Sequence, residues 1–359
     1  MAALIFPLIA LGQADDKKLE EITAKHARGE KLTRQEDEYR ERVIERRHQV
    51  ESIPKHLDWA KEHPVRDSTG MVPIDDLGKG MYQGEQGGLY PGGANTPPAA
   101  HLQAGLRLAS QMAPLDRNGR KSPNGRIVFI TIGMSNTMQE TRLLLDLGET
   151  DRQISPKVAL VNGAMGSQTA GMISDPKCPY WKLVDSRVRE AGFTNQQVQA
   201  LWLKEANGVP KRSFMEEAKR LQGNLVDVLH ILHDKFPNLK IAYFSSRIYG
   251  GYALVPLNPE PYAYEGGFAV KWLIADQIAG KPELNYDPAK GTVRAPWIAW
   301  GPYLWADGLK PRSDGLIWKR EEVAPDGTHP STIGCEKVAR LILDFLKKDP
   351  TSQPWFVKK

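Results

Sequence analysis

The chain has 359 residues, enough for one large or two modest domains with a sizeable core. Hydrophobic residues at 41% and charged residues at 25% are ordinary globular values, which excludes wholesale disorder and fibrous repeats. A net charge of +5 spread over this length does not point to nucleic acid, and two cysteines without a Cys/His cluster give no structural zinc pattern.

Taken in chain order, residues 1–14 open with an apolar run, Ala2 to Leu11, that ends at Gly12-Gln13-Ala14. It is too short to span a bilayer and has the form of a truncated secretory signal without its basic leader. Secretion or a periplasmic location is the expectation, with no stable membrane insertion; a frayed apolar terminus is the alternative. Residues 15–63 are dense in charge. Thr33 and Glu36 form a capping box that predicts a helix to about Gln49. A shorter helix before it gives a hairpin turning around Arg28 to Lys31. Residues 64–125 are rich in Gly and Pro and read as a long packed loop with a short helix at about 98–112.

From Arg126 the pattern changes. Ile127–Ile132, Val158–Val161, Val198–Leu203 and Ile241–Phe244 are apolar runs of the kind buried on both faces of a parallel sheet, with Pro296–Trp300 a weaker fifth. Helical stretches alternate with them, at Asn136–Leu147, Phe214–Phe236, Ala263–Ala279 and Ser331–Leu346. The prediction is a three-layer α/β/α sandwich around a central parallel sheet of about five strands, over residues 126–359.

Ligands of such sheets bind at the carboxyl ends of the strands. Behind the first strand stands Gly133-Met134-Ser135-Asn136, behind the second Asn162 to Ser167, behind the third Glu205-Ala206-Asn207. Asp326-Gly327-Thr328-His329-Pro330 precedes the last helix. These loops gather a hydroxyl, a backbone donor, an amide and an Asp/His pair, which is the set acyl transfer needs. A serine nucleophile needs a base, histidine titrates in the right range, and a carboxylate fixes its tautomer. Ser135 is the candidate nucleophile, His329 the base and Asp326 its partner. The backbone N–H groups of Ser135 and Gly166 and the Asn207 amide are the candidate oxyanion donors. Read singly, Ser135 is an ordinary helix N-cap and His329 an ordinary loop residue; the conjunction argues otherwise.

The four loops together resemble the SGNH hydrolase superfamily, the GDSL-like lipases and esterases, over residues 126 to 347. That resemblance implies a flavodoxin-like SGNH fold in which Ser135, Gly166, Asn207 and His329 fall in the four blocks in order, with Asp326 completing the triad. Met134 stands where the GDSL pattern has Asp, so Gly133-Met134-Ser135-Asn136 is more similar to the Gly-Gln-Ser-Asn block of sialate O-acetylesterase-like and other carbohydrate-esterase branches. Glu205-Ala206-Asn207 departs from the common Gly-x-Asn. Gly163 rivals Gly166, but Gly166 leaves Asn162 and Thr169 where the pattern has them.

Among the remaining candidates, His230 and His233 share a helix face, which packing explains better than a metal; no cofactor and no metal are expected. Trp297, Trp300, Tyr303, Trp305 and Trp318, with Asp307 and Asp314 between them, suggest a sugar-binding wall beside the Asp/His loop. Trp300 and Trp305 are therefore candidate substrate contacts, with tryptophans of the core as the alternative. Arg247 is a third candidate, for a substrate carboxylate, or a structural partner of Glu265 or Asp307. Cys178 and Cys335 both border the sheet's carboxyl-end face and would bridge in an oxidising compartment; otherwise they are separate buried thiols. The resulting expectation is a serine esterase acting on a small ester or acylated saccharide, most simply a carbohydrate acetyl group. The alternatives are a lipase or phospholipase on the same scaffold and a non-catalytic carbohydrate-binding protein.

Overall fold

The computed structural model describes residues 13–28, 30 and 32–358. Residues 1–12 of the segment read as a leader, its whole apolar run included, lie outside them, as do Gly29 and Lys31 in the expected turn. Two helices, α1 (Gln13–Ala27) and α2 (Arg34–Ser52), form the N-terminal hairpin. The capping box at its second helix is present: the Glu36 N–H donates to Thr33 Oγ1 at 3.2 Å and the Thr33 N–H to Glu36 Oε2 at 2.9 Å. Among its described side chains only a thin hydrophobic stripe, Leu19, Ile22 and Val43, is buried. Its tie to the main body includes polar contacts: Gln139 Nε2 donates to Glu45 Oε2 at 3.1 Å. Arg142 Nη2 donates to Glu41 Oε2 at 2.5 Å and Nη1 to Glu45 Oε2 at 2.9 Å.

Residues 64–98 wrap the body as an extended strap. Asp307 captures it with hydrogen bonds from Ser68 Oγ (2.5 Å), the Thr69 N–H (2.7 Å), Thr69 Oγ1 (2.6 Å) and the Gly70 N–H (2.9 Å). The strap's Ile74 is wholly buried. Helix α3 (Ala99–Gln111) follows.

The body is a three-layer α/β/α sandwich. Its elements are β1 (Ile127–Gly133), α4 (Ser135–Thr150), β2 (Val158–Asn162), α5 (Tyr180–Glu190), β3 (Val198–Lys204), α6 (Phe214–Lys235), β4 (Ile241–Phe244), α7 (Tyr262–Ile278), β5 (Trp297–Trp300) and α8 (Thr332–Lys348). The strand order is β2-β1-β3-β4-β5, with every pairing parallel. That is the flavodoxin-like order, so the switch point falls between β1 and β3. Every residue of β1, β3, β4 and β5 is buried, as continuous apolar runs require, whereas the edge strand β2 is mostly half-buried. Helices α4 and α8 pack together, as do α6 and α7. Right-handed crossovers set these pairs on opposite faces of the sheet. No helix of the described residues is long and apolar enough to cross a membrane.

Helix α5 is absent from the expectations above. Its buried face, Trp181, Val184 and Val188, has helical spacing, but the preceding Pro-Lys-Cys-Pro segment favours a loop reading.

Candidate active site

The site forms at the switch point. Strand β1 runs out at Gly133 and the chain turns at once into α4, so Ser135 is the first helical residue. A side chain at Gly133 would strike Thr137 and the Lys204 carbonyl, so the turn can be this tight only with glycine. The last-helix loop arrives opposite. Gly327 has φ 73° and a Cβ there would overlap the Tyr252 carbonyl, which fixes glycine at this position as well.

Ser135 Oγ lies 2.8 Å from His329 Nε2, and His329 Nδ1 lies 2.6 Å from Asp326 Oδ2. Asp326 is 1% exposed, while Ser135 and His329 keep partial access to solvent. Burial alone would push the Asp326 carboxyl up. The His329 ring and the backbone N–H groups of His329 and Thr328, both 3.1 Å from Oδ1, hold it below the usual carboxylate range. An ionised Asp326 fixes the Nδ1–H tautomer and leaves Nε2 free to accept from Ser135.

Asn207 enters from the end of β3. Its Oδ1 accepts from the Gly171 N–H at 3.1 Å and from Asn224 Nδ2 at 2.8 Å. Because the Gly171 donor is backbone, the amide orientation is settled: Oδ1 is occupied and Nδ2 is a buried donor without a partner. A buried N–H left unpaired is costly and suits a site awaiting an acceptor. Gly166 is beside the serine, since a Cβ at Gly166 would lie 3.8 Å from Ser135 Cβ. Gly163 sits deeper, against Thr131 and Ile130, so geometry favours Gly166 of the two. Arg187 Nη1 steadies this loop by donating to the Ala164 carbonyl and, at 3.3 Å, to that of Asn162.

Three sequence expectations are corrected. Trp300 and Trp305 are 4% and 0% exposed. Their indole N–H groups are spent on the Leu89 carbonyl (2.8 Å) and Glu260 Oε1 (2.7 Å). Trp297, Tyr303 and Trp318 are equally buried, so this cluster is core and not a wall. Arg247 is 4% exposed and meets neither Glu265 nor Asp307; its Nη2 donates to the Thr328 carbonyl at 3.3 Å. It is shielded from any substrate carboxylate. Cys178 and Cys335 are both free thiols, Cys178 Sγ facing Gln168 Oε1 at 3.6 Å and Cys335 Sγ the Pro330 carbonyl at 3.9 Å.

Sequence reading missed the residues that support the site. Asn136 Nδ2 donates to the Thr328 carbonyl at 3.2 Å, and Asn224 aims Asn207. Beneath Ser135, Lys204 Nζ donates to Glu140 Oε1 at 2.5 Å as a fully buried pair. Glu205, also buried, has a carboxyl that burial pushes well above the usual range. A charged residue inside an apolar strand end was the available signal for Lys204 and Glu205.

No family model matches the chain, and no curated protein does. Among solved structures it is similar to a protein provisionally described as an acylhydrolase, from Bacteroides fragilis. That match has 15% identity and a TM-score of 0.35, covering 70% of this chain and 99% of that one. It is similar also to a GDSL-like lipase from Bacteroides thetaiotaomicron, at 12% identity and TM-score 0.30, over 68% and 96% of the two chains. A third is the periplasmic domain of a lipopolysaccharide acetyltransferase from Salmonella ser. Paratyphi A, at 13% identity and TM-score 0.32, over 69% and 94%.

Proposed function

We propose that this protein is a serine esterase of the SGNH type, cleaving a carboxylic ester by way of an acyl-enzyme. The observation that carries the reading is the hydrogen-bonded chain Ser135–His329–Asp326; the buried, unpartnered Asn207 amide adds to it. In this reading Ser135 Oγ attacks the ester carbonyl as His329 Nε2 takes its proton. The developing oxyanion accepts from Asn207 Nδ2 and from the backbone N–H groups of Ser135 and Gly166. His329 then gives its proton to the departing alcohol, leaving Ser135 acylated. Water, deprotonated by His329, attacks the acyl carbon and restores the free serine. Asp326 stabilises the imidazolium at both stages. No cofactor or metal takes part in these steps.

For the substrate we propose a short acyl group, acetyl in the simplest case, on a carbohydrate. Its support is the likeness of Gly133-Met134-Ser135-Asn136 to the carbohydrate-esterase block; the buried tryptophans no longer contribute. One observation favours the lipase alternative. Met165, Met172, Val209 and Met215 are among the few large apolar side chains exposed on the described chain. They lie on, or next to, the loops carrying Gly166 and Asn207, where the Ala170 N–H donates to the Ala206 carbonyl at 3.0 Å. Such a rim suits a longer acyl chain.

A p-nitrophenyl ester series tests both readings. Acetate is expected to be the best substrate, with Ser135→Ala folded but reduced on the order of 10⁶-fold in kcat. Preference for long chains would transfer the assignment to the lipase reading. Export is proposed on the apolar leader alone, and recovery of the full-length protein from a periplasmic or culture fraction tests it.

A further inference from the structure

The turn that carries Asp326 and His329 is gripped from two sides. On one, the Leu254 N–H donates to the Asp326 carbonyl at 2.8 Å, and Thr328 Oγ1 to the Leu257 carbonyl at 3.1 Å. On the other, a single acceptor, the Thr328 carbonyl, takes both Asn136 Nδ2 at 3.2 Å and Arg247 Nη2 at 3.3 Å. Both donors are buried, at 1% and 4% exposure. The carbonyl they share belongs to the residue preceding His329, and Asn136 is the residue after Ser135. Asn136 thus ties the nucleophile's helix to the histidine's turn independently of the Ser135–His329 hydrogen bond.

Arg247 is unusual in its surroundings. Its Nε has no partner, and among the described residues its Nη2 donates to the Thr328 carbonyl. A guanidinium taken out of water costs free energy unless its charge is used. Four carboxyls face it: Glu140 from α4, Asp326 from the last turn, Glu205 from the end of β3 and Glu260 from the loop before α7. Lys204 is the other cation and is bonded to Glu140. Glu140 in turn feels His329. Burial raises the Glu140, Glu205 and Glu260 carboxyls, whereas Asp326 is held below the usual carboxylate range, which leaves Asp326 as the anion that the Arg247 charge meets.

We infer that Asn136 and Arg247 are positioning residues, which fix the Thr328 carbonyl and so set the His329 ring against Ser135, with Arg247 also placing a positive charge behind the Asp326–His329 pair. This rests on the serine-esterase reading, and neither residue touches substrate in it. Arg247 carries a charge and Asn136 is neutral, so the part they share is the grip on the Thr328 carbonyl.

The experiment combines p-nitrophenyl acetate kinetics with amide exchange of the Asp326–His329 turn in the ligand-free protein. Arg247→Met is expected to lower kcat on the order of 100-fold, the scale of a small misplacement of a catalytic group. Its KM should stay near wild type and the turn should exchange faster. Arg247→Lys, which keeps a charge and a donor, should regain part of kcat and part of the protection. Asn136→Ala should lose kcat with KM unmoved. Wild-type kcat in Asn136→Ala, or a loss confined to KM in Arg247→Met, overturns the inference. If Arg247→Met fails to fold, Asn136→Ala and Arg247→Lys decide it by the same two readouts. A wild type that turned over no ester would sink the esterase reading, while the exchange rates would still judge whether the two donors hold the turn.

Discussion

Asn207 shows how one side chain is aimed before any substrate arrives. The Gly171 N–H and Asn224 occupy its oxygen, so its nitrogen is fixed in orientation, buried and without a partner. Preorganised donors of this kind stabilise a transition-state charge without reorganising. Asn207→Ala is therefore expected to lower kcat by roughly 10²–10³-fold with little change in KM, and Asn207→Asp to do worse, because a carboxylate would face the oxyanion. Steady-state kinetics on p-nitrophenyl acetate check both; a loss confined to KM would mean the amide binds substrate and does not serve the transition state. At this scale the sequence was readable where chemistry and chain position coincide. Ser135, Asp326 and His329 stand directly after a strand or before a helix, and the fold brings them together. Asn136, Arg247 and Asn224 were not readable as supports, because their partners lie 192, 81 and 17 residues away in the chain. The tryptophans misled for a related reason: aromatic and acidic residues interleaved in sequence look alike whether the rings face a sugar or fill a core.

At the level of elements, the strands were legible because burial on both faces leaves unbroken apolar runs, as in Ile127–Ile132 and Val198–Leu203. Helix α5 was not, because its short apolar stripe follows two prolines. The N-terminal hairpin was legible as helix from its capping box, but its docking site was not, since that depends on polar contacts with α4 residues 94 to 101 positions away in the chain. Arg142, 7% exposed on α4, holds both Glu41 and Glu45 of α2. Truncating one member of a largely buried ionic cluster costs about 3 kcal/mol or somewhat less at this partial exposure. Arg142→Ala should accordingly release α1–α2 to limited proteolysis and faster amide exchange, with the α/β/α body still folded. Unchanged protection of α2 would show that Leu19, Ile22 and Val43 suffice to hold the hairpin.

For the molecule as a whole, the buried charges beneath the site make stability depend on pH in opposite senses. Asp326 is held below its unfolded value, so its contribution is present at neutral pH and is lost as pH falls through the depressed folded value. Glu205 is raised, so the folded state holds its proton where the unfolded state has released it. Its effect is a loss of stability as pH rises above about 4.3, the ordinary Glu value, toward its folded value. Glu205→Gln removes this slope while keeping an acceptor for the Ala206 N–H. Denaturant unfolding at pH 5 and pH 8 should show a smaller fall in stability across that interval for the variant than for wild type. An identical fall in both proteins would place the pH dependence elsewhere.

The central claim is that Ser135, activated by His329 and Asp326, carries the acyl group. The most direct measurement is an acid-quenched reaction with p-nitrophenyl acetate followed by peptide mass spectrometry. An acetyl adduct on Ser135 is expected in the wild type, and neither adduct nor turnover in Ser135→Ala. Turnover by Ser135→Ala at the wild-type rate, or an adduct on another residue that is competent for turnover, would contradict it.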